Sequence, residues 1–235
     1  MDPLDRLAGP ATDLLGRVDE LLTNGGAPAD HRIWPLLRRL RTLPGDAVAS
    51  VAALQAAPLA AAGAAVRALI PGYDEAGSLV NRAVAWEGAA ASAFTTHRDS
   101  LAAHLGGEAG RDGEPGNGPI GNSESLAGRL AQTAGYADAV AGWIDRTRLD
   151  LARTLAEALG CAEAVVVVAE RVAEPTTTGG RAAADIGARV LATVAAAYDE
   201  AESLPQRWAT AQDELVYGPP TGADSGPNGT TRVAL

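Results

Sequence analysis

Residues 123–174 read SESLAGRLAQTAGYADAVAGWIDRTRLDLARTLAEALGCAEAVVVVAERVAE, and the spacing of their apolar side chains decides the fold. Leu130, Ala137, Ile144, Leu151, Ala158, Val165 and Val172 recur every seven residues, with Ala134, Ala141, Arg148, Leu155, Ala162 and Ala169 running beside them. Two such series make a seam along one side of a helix, which a second helix can cover. Leu130, Ile144, Leu151, Leu155, Val165 and Val172 are its expected packing residues. Asn122 or Ser123 supplies the cap, and Pro175 with the Thr- and Gly-rich stretch 176–180 stops the helix. Unbroken, it would extend on the order of 75 Å. Residues 165–168, four valines, are β-prone but lie within the helical period and read as buried helix.

Downstream, a last helix is expected over residues 181–215, bent near Pro205, and residues 216–235 have the composition of a disordered tail. Upstream, residues 106–122 are rich in Gly and Pro without apolar period, so a mobile loop is expected. Residues 73–105 read as two helices meeting near Trp86-Glu87-Gly88. Pro71-Gly72 marks a boundary. Before it, Leu4, Leu7, Leu14, Leu15, Val18, Leu21 and Leu22 define an amphipathic helix ended by Asn24-Gly25-Gly26. A short helix from Trp34 to Leu43 ends at Pro44-Gly45, and a third, capped by Asp46, reaches Ile70 with a kink at Pro58. The expected fold is all-α, an elongated hairpin or bundle of long antiparallel helices with additional N-terminal helices. It divides into an N-terminal helical segment 1–70, a hairpin or bundle 71–215 and the tail 216–235.

Composition narrows the function. Alanine is the commonest apolar residue, with Leu and Val next, and only nine residues are aromatic, which favours thin, closely packed helices. All 19 basic residues are Arg, a codon signature of a GC-rich bacterial genome. A net charge of −10 argues against nucleic acid, whose phosphates require a basic stripe, and against anionic membranes. Residues 1–24 contain five acidic side chains and no basic start or unbroken apolar core, so no signal peptide is expected. Residues 51–70 are nearly uncharged but are interrupted by Gln55, Pro58, Gly63 and Arg67, so no membrane span is expected. The single Cys161 reads as a buried, inert thiol.

The stretch Ala85-Trp86-Glu87-Gly88-Ala89-Ala90-Ala91-Ser92-Ala93-Phe94 resembles the centre of the WXG superfamily of type VII secretion substrates, where Trp-x-Gly marks the turn of a helical hairpin. A Gly two residues after Trp lets one helix end and the next begin tightly. Members of that superfamily also carry an export signal, Tyr followed four residues later by Asp or Glu, on a helix beyond the hairpin. Tyr198 and Glu202 fit it; Tyr73, Tyr136 and Tyr217 are followed at that spacing by Gly77, Val140 and Thr221. In a helix Tyr198 and Glu202 stand one turn apart on one face. The resemblance spans residues 73–215 and departs from the small members in its long loop and in the more than one hundred residues between Trp86 and Tyr198. It implies an enlarged relative whose partner is a type VII secretion motor ATPase, with a second helical chain as a further partner. It also implies delivery to the medium or cell envelope without a signal peptide. An intracellular, cytoplasmic scaffold or chaperone for a secreted partner is the alternative.

Plainer readings stand beside these. Trp86 can be a core anchor, as Trp34, Trp143 and Trp208 are expected to be. The acidic run 199–202 can be a solvated face. His97 and His104 share a helical face with Glu108, but Gly106-Gly107 should end that helix first. Residues 112–118 lack the alternating ligand order of a calcium loop, and Asn228-Gly229-Thr230 is a chance glycosylation match. No phosphate loop, nucleophile elbow or paired carboxylate is present, so no enzyme, cofactor or metal is expected.

Overall fold

The computed structural model describes residues 2–82, 86–106, 125–209, 215–218 and 232–233. The protein is all-α: among the described residues there are nine helices and one pair of two-residue strands. Two units form, one from Met1–Ala57 with Ala139–Pro205 and the other from Pro58–Asp138 with Gln206–Leu235. The expected boundary after residue 70 is thereby corrected. The N-terminal helices find their apolar partners in the second half of the chain and do not close a core of their own.

In the first unit, α1 (Pro3–Gly25) is capped by Asp2, whose carboxylate accepts the Leu4 N–H at 2.7 Å. It turns Leu4, Ala11, Leu14, Leu15, Val18 and Leu21 into the core. After it come α2 (Ile33–Leu40) and α3 (Pro44–Ala52), then the part of α7 (Leu126–Leu159) beyond residue 138, α8 (Ala162–Ala169) and α9 (Thr177–Arg207). The Trp143 indole N–H donates to the Ala197 carbonyl at 2.9 Å, the Thr154 and Thr193 hydroxyls meet at 2.9 Å, and Arg189 pairs with Glu163 at 2.7 Å. Partners fall along α9 as positions rise from α7 to α8, so α9 runs antiparallel to α7. Leu151, Leu155, Ile186, Val190 and Leu191 are completely buried between them and α1. Small residues allow close approach: a methyl group on Gly180 would stand 2.8 Å from the Gly26 carbonyl oxygen.

The long helix read over residues 123–174 is broken. α7 ends at Leu159, Gly160 follows, and Cys161 is extended before α8 begins. The break re-phases the seam: Ala164 and Val167 are buried, whereas Val165 is 70% exposed and Val172 only half-buried. The segment beyond the break is held by α1. Arg17 of α1 donates to the carbonyls of Val167 and Glu170 at 3.3 and 2.8 Å, and Asn24 donates to that of Val172 at 3.3 Å, closing α8. Glu170 then caps α9, accepting from the Thr176 N–H and hydroxyl, both at 2.9 Å.

Two polar groups, Arg148 buried and Asp19 half-buried, tie the N-terminal helices down. Arg148 of α7, read as a seam position, is 8% exposed, and its guanidinium pairs with Asp2 and Asp5 at 2.6 Å each. Its third nitrogen donates to the carbonyls of Ala52 at 2.6 Å and Leu54 at 3.2 Å, at the C-terminal end of α3. Asp19 of α1 caps the other end of α3, accepting the Gly45 N–H at 3.0 Å. Burial, with a smaller contribution from Asp46, pushes the Asp19 carboxyl up to about 6 despite that hydrogen bond. Since 6 exceeds the ordinary 3.8, the folded state holds the proton more tightly. This group therefore favours folding below pH 3.8 and loses that contribution as pH rises through about 6. Asp19→Asn keeps an oxygen for Gly45 and removes the buried charge. It should raise stability at pH 7 by on the order of 1–2 kcal/mol, the gap closing toward pH 4 in paired thermal melts.

In the second unit, α4 (Ala57–Arg67) lies on the first half of α7, with Gly63 against Ala134 and Arg67 paired with Asp138. α5 (Ile70–Val80) and α6 (Ala89–Leu105) form an antiparallel hairpin: Gly77 abuts Ala102 and Gly106, and Arg98 donates to the Arg82 carbonyl at 3.2 Å. Pro71-Gly72 lies inside the first turn of α5, where proline needs no N–H partner, and so is not a boundary. The third helix foreseen over residues 46–70 is likewise two helices, α3 and α4. By length and composition the stretch Pro44–Val80 is apolar enough to cross a membrane. It is divided among helices of 9, 11 and 11 residues, against about 20 for one crossing. Trp208 packs on Gly135. β1 (Trp86–Glu87) pairs antiparallel with β2 (Arg232–Val233), which corrects the reading of that part of the tail as disordered. Residues 107–122, expected as a loop, lie outside the described residues.

Candidate functional site

Helix α9 buries Val194, Ala195 and Leu204 and turns Tyr198 and Glu202 outward, one turn apart. Tyr198 is 48% exposed, an unusual placement for an aromatic side chain when the same helix offers a core face. The two acidic residues between them are engaged on either side. Asp199 pairs with Arg39 of α2, and Glu200 with Arg146 of α7 at 2.6 Å. The hydrogen bond from Arg39 holds the Asp199 carboxyl below the ordinary carboxylate range. Trp143 fixes the backbone one residue earlier through Ala197. The run 199–202 is therefore not a uniformly solvated face: Asp199 and Glu200 are anchored to two neighbouring helices, while Tyr198 before them and Glu202 after them face outward.

The chain has no match among protein families, curated proteins or solved structures. The site must be judged on its geometry.

The Trp-x-Gly residues lie in the connection between α5 and α6, well separated in sequence from Tyr198. Gly88 is the N-cap of α6 at φ 107°, a conformation that L side chains rarely adopt, and its carbonyl accepts the Ser92 N–H at 3.1 Å. Trp86 contributes its backbone to β1. Of the seam, Ile144, Leu151 and Leu155 are buried in the first unit, and Leu130 is half-buried in the second.

Chemistry elsewhere is sparse. Cys161 is half-buried, and its thiol donates to the Ala158 carbonyl at 3.0 Å. An open hollow of about 420 Å³ lies along α8 between Val165, Val166, Ala169 and Glu174, but its nearest capping carboxylate, Glu170, is occupied by Thr176. The ring of His104 lies 5.2 Å from that of Tyr217. Among the described residues no three His, Cys, Asp or Glu side chains group to hold a metal. Glu108, residues 112–118 and residues 228–230 lie outside the described residues. The resemblance to a family export signal pointed to Tyr198 and Glu202 in the sequence, but Arg39, Arg146 and Trp143, which lie 54 to 160 residues from their partners, carry no local signal.

Proposed function

We propose that this protein is a non-enzymatic helical interaction protein, exported by a type VII secretion system whose motor ATPase reads Tyr198 and Glu202. One observation carries the reading: an exposed tyrosine and an exposed carboxylate stand one turn apart on a helix whose intervening residues are tied to α2 and α7. A receptor groove can take the ring into an apolar pocket and the carboxylate onto a cation, the helix-in-groove mode of recognition. Because α9 is held by two other helices, the surface exists in the folded protein. Binding of the purified protein to the cytosolic part of the motor ATPase tests this. Tyr198→Ala and Glu202→Ala should each weaken it by about tenfold or more, as expected for anchor residues; unchanged binding would refute the assignment.

The intracellular scaffold remains the second reading, favoured by Leu69, Leu79, Phe94 and Leu101 in the second unit, which are 55%, 47%, 45% and 36% exposed. Apolar side chains at that density suit a helical partner. Stable co-purification with a secreted protein, and absence from the medium, would favour it over export.

A further inference from the structure

Residues 32–41 hold Arg32, Arg38, Arg39 and Arg41 with no acidic residue among them, in a chain of net charge −10. The apolar side of this segment is spent: Ile33 is fully buried, and Leu36, Leu37 and Leu40 pack on the core. All four arginines are exposed. Among the described residues only Arg39 has a carboxylate partner, Asp199; Arg38 reaches the Trp34 carbonyl on its own helix, and the guanidinium groups of Arg32 and Arg41 make no hydrogen bond or ion pair with a described residue. Arginines in the last turn of a helix interact favourably with its dipole, and Arg38 and Arg39 do so here. That role does not extend to Arg32, which precedes the helix, and does not need three cations left without counter-charges. Arg39 joins this segment to the residue next to Tyr198, and the charge of Glu202 also acts on Arg39. The arginine side of α2 and the outer turn of α9 therefore form one continuous surface.

We propose that Arg32, Arg38 and Arg41 are the electrostatic half of the recognition surface and receive an acidic segment of the partner protein that reads Tyr198. The inference rests on the export reading and adds the partner's chemistry: a pocket for the tyrosine ring, bordered by carboxylates. Opposite charges across a rim chiefly raise the association rate and make it salt-dependent.

The test measures association of the full-length protein with the purified cytosolic part of the motor ATPase, between about 50 and about 300 mM NaCl, where screening shortens sharply. Three proteins are compared: R32Q/R38Q/R41Q, the corresponding triple lysine variant, and Tyr198→Ala. The glutamine variant should associate on the order of tenfold more slowly at low salt and lose most of the salt dependence, with helicity and melting temperature kept. The lysine variant should retain both, and Tyr198→Ala should speed dissociation while leaving the salt dependence in place. A glutamine variant that associates like wild type, while Tyr198→Ala weakens binding, overturns the inference and leaves the export reading intact. Wild type that does not bind, or binding indifferent to Tyr198→Ala, overturns both.

Discussion

Replacing Arg148 by alanine should cost about 3 kcal/mol of stability, the low end of the range for breaking a buried ion pair. The guanidinium is 8% exposed and uses all three nitrogens, on Asp2, on Asp5 and on the carbonyls that end α3. Removing it leaves those carbonyls without a cation at the negative end of the helix and two carboxylates without a counter-ion. Asp2 and Asp5 retain 29% and 50% of their side-chain exposure, so water recovers part of the loss. Arg148→Lys keeps the charge but cannot fork between α1 and α3, and should fall between wild type and alanine. Urea titrations followed by circular dichroism measure the difference; an alanine variant within about 0.5 kcal/mol of wild type would show that the cluster contributes no net stability. A pH signature accompanies it. The hydrogen bond from Arg148 holds the Asp2 carboxyl below 3.8, so its contribution is complete above pH 3.8 and is lost as pH falls through the depressed value. The alanine variant should lack that component of acid unfolding.

The second large effect is expected at Leu151, which is fully buried between α7 and its neighbours. Leu151→Asp places a carboxylate in a fully buried apolar cluster, at a cost of about 5 kcal/mol or more, comparable with the total stability of a typical domain. The first unit should unfold, with loss of helicity. Ile144→Asp should act in the same direction. Leu149→Asp, two residues away on the 45% exposed side of α7, is the control and should change stability by less than about 0.5 kcal/mol. Retained helicity and melting temperature in the Leu151 variant would contradict the packing described here.

The helical class was legible because apolar side chains at three- and four-residue steps leave few other structures open, and α1 shows this best: its leucines, Asp2 and the closing glycines all lie within one stretch. The corner at Gly88 was legible for the same local reason. What escaped was tertiary. An isolated Gly160 between two alanine-rich helical runs is compatible with one continuous helix. The contacts that hold the segment beyond the break come from Arg17 and Asn24, about 150 residues away in the chain. Arg148 fell on a seam position and was counted as such, although its partners lie more than 140 residues upstream. On the outer face of α9, the resemblance to a family export signal pointed to Tyr198 and Glu202, but the two arginines that hold the residues between them belong to other helices. The density of arginine in α2, by contrast, is a local signal that reading for apolar period passes over.

Export in an actinobacterial host with a working type VII system tests the central claim most directly, by quantifying the protein in the medium for wild type, Tyr198→Ala and Glu202→Ala. Both side chains are exposed, so both variants should fold and accumulate in cells as wild type does. Wild type should appear in the medium while either substitution abolishes its export. Equal export of all three, or none of wild type, would contradict the account.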